Sequence, residues 1–219
     1  MMKKASTIGI LGLGLFGTSV ASTLTKNNVD VMVMDKNINH LEEVIDEVSL
    51  AVQGDFTKLD QLSEAGFGDC DEVVIASAER LEDSILAILN LKKLNVPKIT
   101  VKTKNKDYEE VLLKVGATRV ILPEVEMGQQ VAMMLANPTV HELMKLDSNY
   151  NIIEFPTKTT WIGKTIDAID FRKNYELNII AIQTAGTTDF SIEFGPEYTV
   201  SKGDTLIGIT TDLGMRKLS

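Results

Sequence analysis

The chain has 219 residues and a formal net charge of −9, with 31 Asp and Glu against 22 Lys and Arg. That balance excludes broad nucleic-acid binding, which needs a basic face to displace counterions from phosphates, although backbone N–H groups can still form a local phosphate site. The apolar share of 44% suits a soluble protein with a core, and with Cys70 the only cysteine no intrachain disulfide can form, so a cytosolic location is expected.

The N-terminal MMKKASTIGILGLGLFG has a basic start and an apolar run, but the run is short and broken by glycines, unlike a signal peptide. No stretch has the length of apolar sequence that spans a bilayer. Short apolar, β-branched runs predict strands at 7–11, 30–34, 49–52, 72–76, 98–102 and 119–122. Their low internal polarity fits strands buried on both faces. Between them, apolar residues at helical spacing predict helices at 16–25, 38–47, 58–64, 81–94 and 107–115, with Gly116 as a C-cap. This alternation implies an α/β, Rossmann-type doubly wound parallel sheet.

The pattern then changes. A helix is predicted at 124–135 and ends at Asn137-Pro138, followed by a second short helix at 139–144. Strands are expected at 152–155, 178–184 and 205–210, with a helix at 164–173 and turns at Gly186, Gly195-Pro196 and 202–204. The expected organisation is a Rossmann domain at 1–136, a crossover or linker helix at 137–150, and a small α+β C-terminal domain at 151–219. The last is small for an isolated core, which implies dimerisation or packing on the first.

The main motif is Gly12-Leu13-Gly14-Leu15-Phe16-Gly17, which follows the first strand and opens a helix. Gly12 permits the turn, Gly14 lets a phosphate approach the backbone, and Gly17 lets the helix pack on the sheet. Asp35, followed by Lys36, ends the second strand near the ~20-residue spacing of an acid that accepts from a ribose hydroxyl. Asp55 follows the third strand, where an adenine edge would lie, and Ala76-Ser77 follows the fourth, towards the phosphates. Each of these could also be an ordinary turn residue. No catalytic acid–base set stands out: His40 and His141 read as surface or packing residues, and the acidic surroundings of Cys70 would raise its pKa. Binding without catalysis is expected; the alternative is the cofactor module of an NAD-dependent oxidoreductase.

The segments IGILGLGLFG, VMVMDKN, VQGDFT, VVIASAERLEDSILAILNLKKL, ITVKTKN, VGATRVILPEVEMG and FRKNYELNIIAI carry a family resemblance. The chain resembles the cytosolic regulatory subunits of Trk/Ktr-type bacterial potassium transporters, built from an RCK domain. The resemblance implies a nucleotide-responsive subunit, not an enzyme, at the inner face of the membrane. It would bind ATP, ADP or NAD(H) and assemble as homodimers into an octameric ring on a membrane K⁺ transporter subunit. It also implies that Gly12, Gly14 and Gly17, with Leu15 and Phe16 between them, hold phosphate, and that Asp35 holds ribose. Asp55 and Phe56 would flank adenine, and Ser77 and Lys102 the phosphate or dimer-facing side. Glu124 would join a divalent cation between subunits, or else complement its helix dipole. The family often has arginine where Leu15 stands, and leucine cannot form a charge-assisted bond to a terminal phosphate. In several Gram-positive relatives the C-terminal domain binds cyclic di-AMP across a dimer interface. The matching residues here are Ile166, Arg172, Asn178, Ile179 and Pro196; alternatively, Arg172 caps a helix and Asn178 starts a strand.

Overall fold

In the computed structural model, residues 6–76, 80–136, 141–147 and 149–218 are described. The chain forms two compact units, Met1–Glu126 and Met127–Ser219. In the first, β1 (Thr7–Leu11), α1 (Leu15–Lys26), β2 (Asp30–Asp35), α2 (Ile38–Glu42), β3 (Leu50–Gln53) and α3 (Leu59–Glu64) make up one half. The other half contains β4 (Glu72–Ile75), α4 (Leu81–Lys93), β5 (Ile99–Lys102), α5 (Asp107–Val115) and β6 (Arg119–Ile121). Helix α6 (Pro123–Ala136) follows. The six strands lie in the order β3-β2-β1-β4-β5-β6, and neighbouring strands pair in parallel. The doubly wound fold expected from the sequence is therefore the one observed.

Successive strand residues serve opposite faces, as a period of two requires. Ile10, Val33 and Val74 enter a cluster with Leu13, Ala21 and Leu41. Leu11, Met34 and Ile75 enter a second cluster with Leu62, Ile88 and Leu91. Both faces are apolar because both are covered by helices, which leaves the C-terminal strand ends as the place where polar groups can collect. Cys70 lies inside the second cluster. Burial, followed by the charges of Asp69 and Asp71, pushes its thiol up to about 11.

The second unit carries a sheet in the order β7-β8-β10-β9, made of His141–Lys145, Tyr150–Pro156, Thr205–Thr211 and Leu177–Gln183 respectively. Neighbouring strands pair antiparallel. Three expectations change, two in this unit and one in the first. Residues 141–145 are a strand, not part of a linker helix. Five residues are too few to hold a helix alone, and these pair with β8 from His141↔Glu154 to Lys145↔Asn151. Asp147 closes this hairpin by accepting from the amides of Asn149 and Tyr150, an Asx turn. The single helix expected at 164–173 is two short helices, α7 (Ile166–Ile169) and α8 (Phe171–Tyr175), broken where Asp170 takes φ 47°. Helix α2 ends at Glu42, five residues short of the expected end. A last helix, α9 (Asp212–Leu218), has no counterpart in the sequence reading. Trp161 anchors the core of this unit, edge-on to Phe155, Phe171 and Tyr175.

Candidate functional site

The glycine turn sits between β1 and α1. Gly12 has φ 95° and donates its amide to Met34 O at 2.8 Å; a side chain is strained in that backbone region. At Gly17 a Cβ would stand 2.0 Å from Gly12 O and 3.1 Å from Ala76 Cβ, so helix α1 can pack this closely only through glycine. At Gly14 a Cβ would meet nothing within 4 Å. The chain therefore has no internal packing reason for glycine there, and the open space suits an incoming group. Gly14 is the N-cap of α1 and makes no side-chain cap, which leaves first-turn amides for an anion. Leu15 is 95% exposed and Phe16 is half-buried.

Asp35, at the end of β2, holds this turn. One carboxylate oxygen accepts from the Leu13 amide at 2.6 Å and the other from the Asn37 amide at 2.8 Å. A carboxylate has about four acceptor positions, so capacity remains for ribose hydroxyls. His40, read from sequence as a surface or packing residue, brings Nδ1 within 3.3 Å of Asp35 Oδ1. The pair makes no hydrogen bond, and among the described residues this buried nitrogen has no other partner. Its position five residues after Asp35, in the first turn of α2, was the only available cue.

Lys36 pairs with Asp55 at 3.3 Å. Asp55 also accepts from the Thr57 hydroxyl at 2.6 Å and amide at 2.9 Å, while its own amide donates to Gln61 Oε1 at 2.6 Å. Partial burial works to raise the Asp55 carboxyl, yet the Thr57 bonds and the Lys36 ammonium outweigh it and hold the group below its ordinary value. Phe56, expected beside adenine, is instead only 6% exposed and belongs to the core. It stands in the turn after β3 with its ring packed into the core beside Leu62 and Met34. Ala76 is buried against α1. Ser77 lies outside the described residues.

Lys102 ends β5 with its side chain 11% exposed. Its ammonium lies 2.8 Å from Glu124 Oε1 and 5.3 Å from the centre of the Phe16 ring, which links β5 to the glycine turn. The hydrogen bond from Lys102, helped by the charges of Lys102 and Lys104, holds the Glu124 carboxyl below its ordinary value. Among the described residues no group of three potential metal-ligating side chains occurs. A lone carboxylate paired with an ammonium does not hold a divalent cation by itself.

In the second unit, Arg172 and Asn178 come together, with Arg172 Nε donating to Asn178 Oδ1 at 2.9 Å. With Tyr150, Glu176, Leu177 and Ile209 they line an open depression of about 370 Å³. Glu176 is bound to Lys217 and Thr211, and those hydrogen bonds hold its carboxyl below the ordinary range. Ile166 and Ile179 pack half-buried on the core of this unit. Pro196 is exposed, and its carbonyl accepts from the Asp167 amide. Neither Ile166, Ile179 nor Pro196 lines the depression.

A glycine turn between strand and helix, with a carboxylate at the end of the adjoining strand, defines a Rossmann-type nucleotide-binding domain. The TrkA-N domain matches residues 8–123, and the chain belongs to that family. It is 35% identical over 182 residues, 83% of this chain and 81% of the relative, to Ktr system potassium uptake protein C of Bacillus subtilis (strain 168). It is 29% identical over 204 residues, 93% of this chain and 91% of the relative, to Ktr system potassium uptake protein A of the same organism. Among solved structures, the GsuK channel bound to NAD shares the fold, with a TM-score of 0.63 and 18% identity. That match covers 100% of this chain and 39% of the channel's length. Among the described residues, no helix is long and apolar enough to cross a membrane.

Proposed function

We propose that this chain is a nucleotide-responsive regulatory subunit of a membrane potassium-uptake system and acts without catalysis. The observation that carries the reading is the junction at Gly12–Gly17. Its turn is pinned by Asp35, space is open above Gly14, and the fold belongs to a family whose relatives are potassium uptake proteins. In this reading the first-turn amides of α1 hold the phosphates of ATP, ADP or NAD(H), and Asp35 holds the ribose. The Lys36–Asp55 pair borders the base. Gly14, Leu15 and Gly17 lend the site no side-chain charge, so the glycine turn alone distinguishes ATP from ADP weakly.

The second unit serves dimerisation and ligand sensing, with cyclic di-AMP the ligand by family likeness. Arg172 keeps its terminal N–H groups for a phosphate while Asn178, oriented by Arg172 Nε, offers its amide hydrogens to a base. Glu124 reaches a divalent cation only where a second chain adds carboxylates. The working assembly is a homodimer that builds an octameric ring against the membrane transporter subunit. Nucleotide exchange acts by binding two ring shapes unequally.

The test is affinity capture of the tagged chain from detergent-solubilised membranes of its own cells, combined with potassium uptake measurements. A hydrophobic transporter subunit should co-purify, and Asp35→Ala should abolish the nucleotide dependence of uptake. Capture of no membrane protein, with uptake unaffected by deletion of the chain, overturns the reading.

A further inference from the structure

The side chain of His40 is 40% exposed, yet its Nδ1 is buried and faces Asp35 Oδ1 at 3.3 Å without a hydrogen bond. Buried polar atoms are ordinarily paired, so this contact calls for a proton between the two. A bare Nδ1 would aim its lone pair at a carboxylate oxygen with no water to part them. Neutral imidazole carries one N–H, and these surroundings favour it on Nδ1, where a small rotation of the ring completes the bond to Asp35. The second proton then enters at Nε2, which is not among the buried unpartnered atoms. Protonation therefore changes the charge beside Asp35 and leaves its acceptor positions as they were.

The other charged groups around the ring are spent or distant. Helix α2 packs on β2, β3 and α1. β2 has Asp35 at this end and Asp30 at the other. β3 has no charged residue, and α1 has only Lys26, in its last turn. Lys36 and Asp55, which follow β2 and β3, pair with each other. Glu42, Glu43 and Asp46 lie on α2 and the stretch after it, and Glu47 accepts from Ser22. Among the described residues Asp35 is the only acid within ion-pair distance of the ring. Asp35 in turn holds the amides of Leu13 and Asn37, so the charge of this pair is set at the edge of the glycine turn.

We propose that His40 is a positioning residue for Asp35 and a proton-linked regulator of the nucleotide site. Its imidazolium offsets the Asp35 charge, which otherwise opposes the phosphates of a nucleotide seated on the glycine turn, and so strengthens the hold on an anionic nucleotide. The inference rests on the nucleotide reading above. Histidine is the side chain that changes charge between about pH 5 and 8, so a fall in pH within that window tightens binding. By reciprocal linkage, binding draws a proton onto the ring.

The experiment is calorimetric titration of the full chain with ADP across the ~5.5–8 pH window, for wild type, His40→Asn and His40→Ala. Asparagine keeps an N–H near the place of Nδ1 and does not titrate, whereas alanine keeps neither property. The phosphate of ADP titrates alike against all three proteins, so the ratio of wild type to variant isolates His40. From the alkaline to the acid end, wild type should gain roughly three- to tenfold in affinity over His40→Asn, the effect of one added charge near the protein surface. At the alkaline end His40→Asn should match wild type, while His40→Ala should bind more weakly throughout. A second readout needs no variant: with only His40 and His141 in the chain, NMR of the His40 ring at neutral pH should show its protonated fraction rise when ADP is added. If ADP binds but neither the affinity ratio nor the ring's protonated fraction moves, the proposal is overturned and the nucleotide reading stands. If wild type binds no nucleotide at any pH, both fall.

Discussion

Replacing Gly14 with alanine should separate the glycine turn's ligand role from its structural role. Gly14 has φ −70° and ψ −177°, extended backbone that any residue adopts. An added methyl meets no atom within 4 Å. Two small effects on stability oppose each other. Alanine is a poorer N-cap than glycine, by up to ~1 kcal/mol. It also restricts the unfolded chain, which returns about 0.4–1 kcal/mol. At about 2–4 °C per kcal/mol for a chain of this size, the melting temperature should move by no more than a few degrees. Binding should respond differently, because the methyl occupies the space through which phosphate reaches the first-turn amides. Loss of one hydrogen bond to a charged group, about 1.5–3 kcal/mol, weakens nucleotide affinity roughly 10- to 100-fold. Gly17→Ala is the contrast: its methyl would lie 2.0 Å from a carbonyl oxygen. The resulting backbone shift should cost about 3 kcal/mol or more of overpacking, visible as a large drop in melting temperature. ADP titration and thermal melts of both variants decide the matter. Wild-type ADP affinity in a folded Gly14→Ala chain would refute the assignment of phosphate to this turn.

Cys70, buried with its thiol raised to about 11, should resist iodoacetamide at pH 8 in the folded chain and react once denatured, as read by mass spectrometry. Asp55 titrates below its ordinary value in the folded chain, so its contribution to stability is present above about pH 4 and is lost as pH falls through the lower folded value. Thr57→Val removes one of its hydrogen bonds, which should move the carboxyl resonance titration upward and make the acid-side fall in melting temperature shallower. Trp161→Ala removes a 1%-exposed ring and its 3.0 Å bond to the Tyr175 hydroxyl. It should destabilise the second unit by about 3–5 kcal/mol, measured by urea melts; a loss under 1 kcal/mol would contradict the packing described.

The sheet of the first unit was readable because its strands are apolar on both faces and its helices keep a 3.6-residue period. Helix α5, Asp107–Val115, falls on the expected residues, since Gly116 with φ 128° marks its end. The second unit was less legible. Strand β7 depends on pairing with β8, which is information held outside its own five residues. Asp170 breaks α7 from α8 by a left-handed turn that a non-glycine residue seldom advertises. At the site, the order glycine turn then Asp35 was plain in sequence, but its geometry was not. Phe56 goes to the core while its neighbour Asp55 stays at the polar edge. His40 approaches Asp35 only because the chain turns after β2.

Nucleotide binding at the glycine turn is tested most directly by calorimetry of the purified full chain with ADP, supported by thermal shift with ATP, AMP and NAD. Saturable heat at one nucleotide per chain is expected, sharply reduced when Asp35 becomes alanine. A flat titration at millimolar nucleotide, with no change in melting temperature for any of the four, would contradict it.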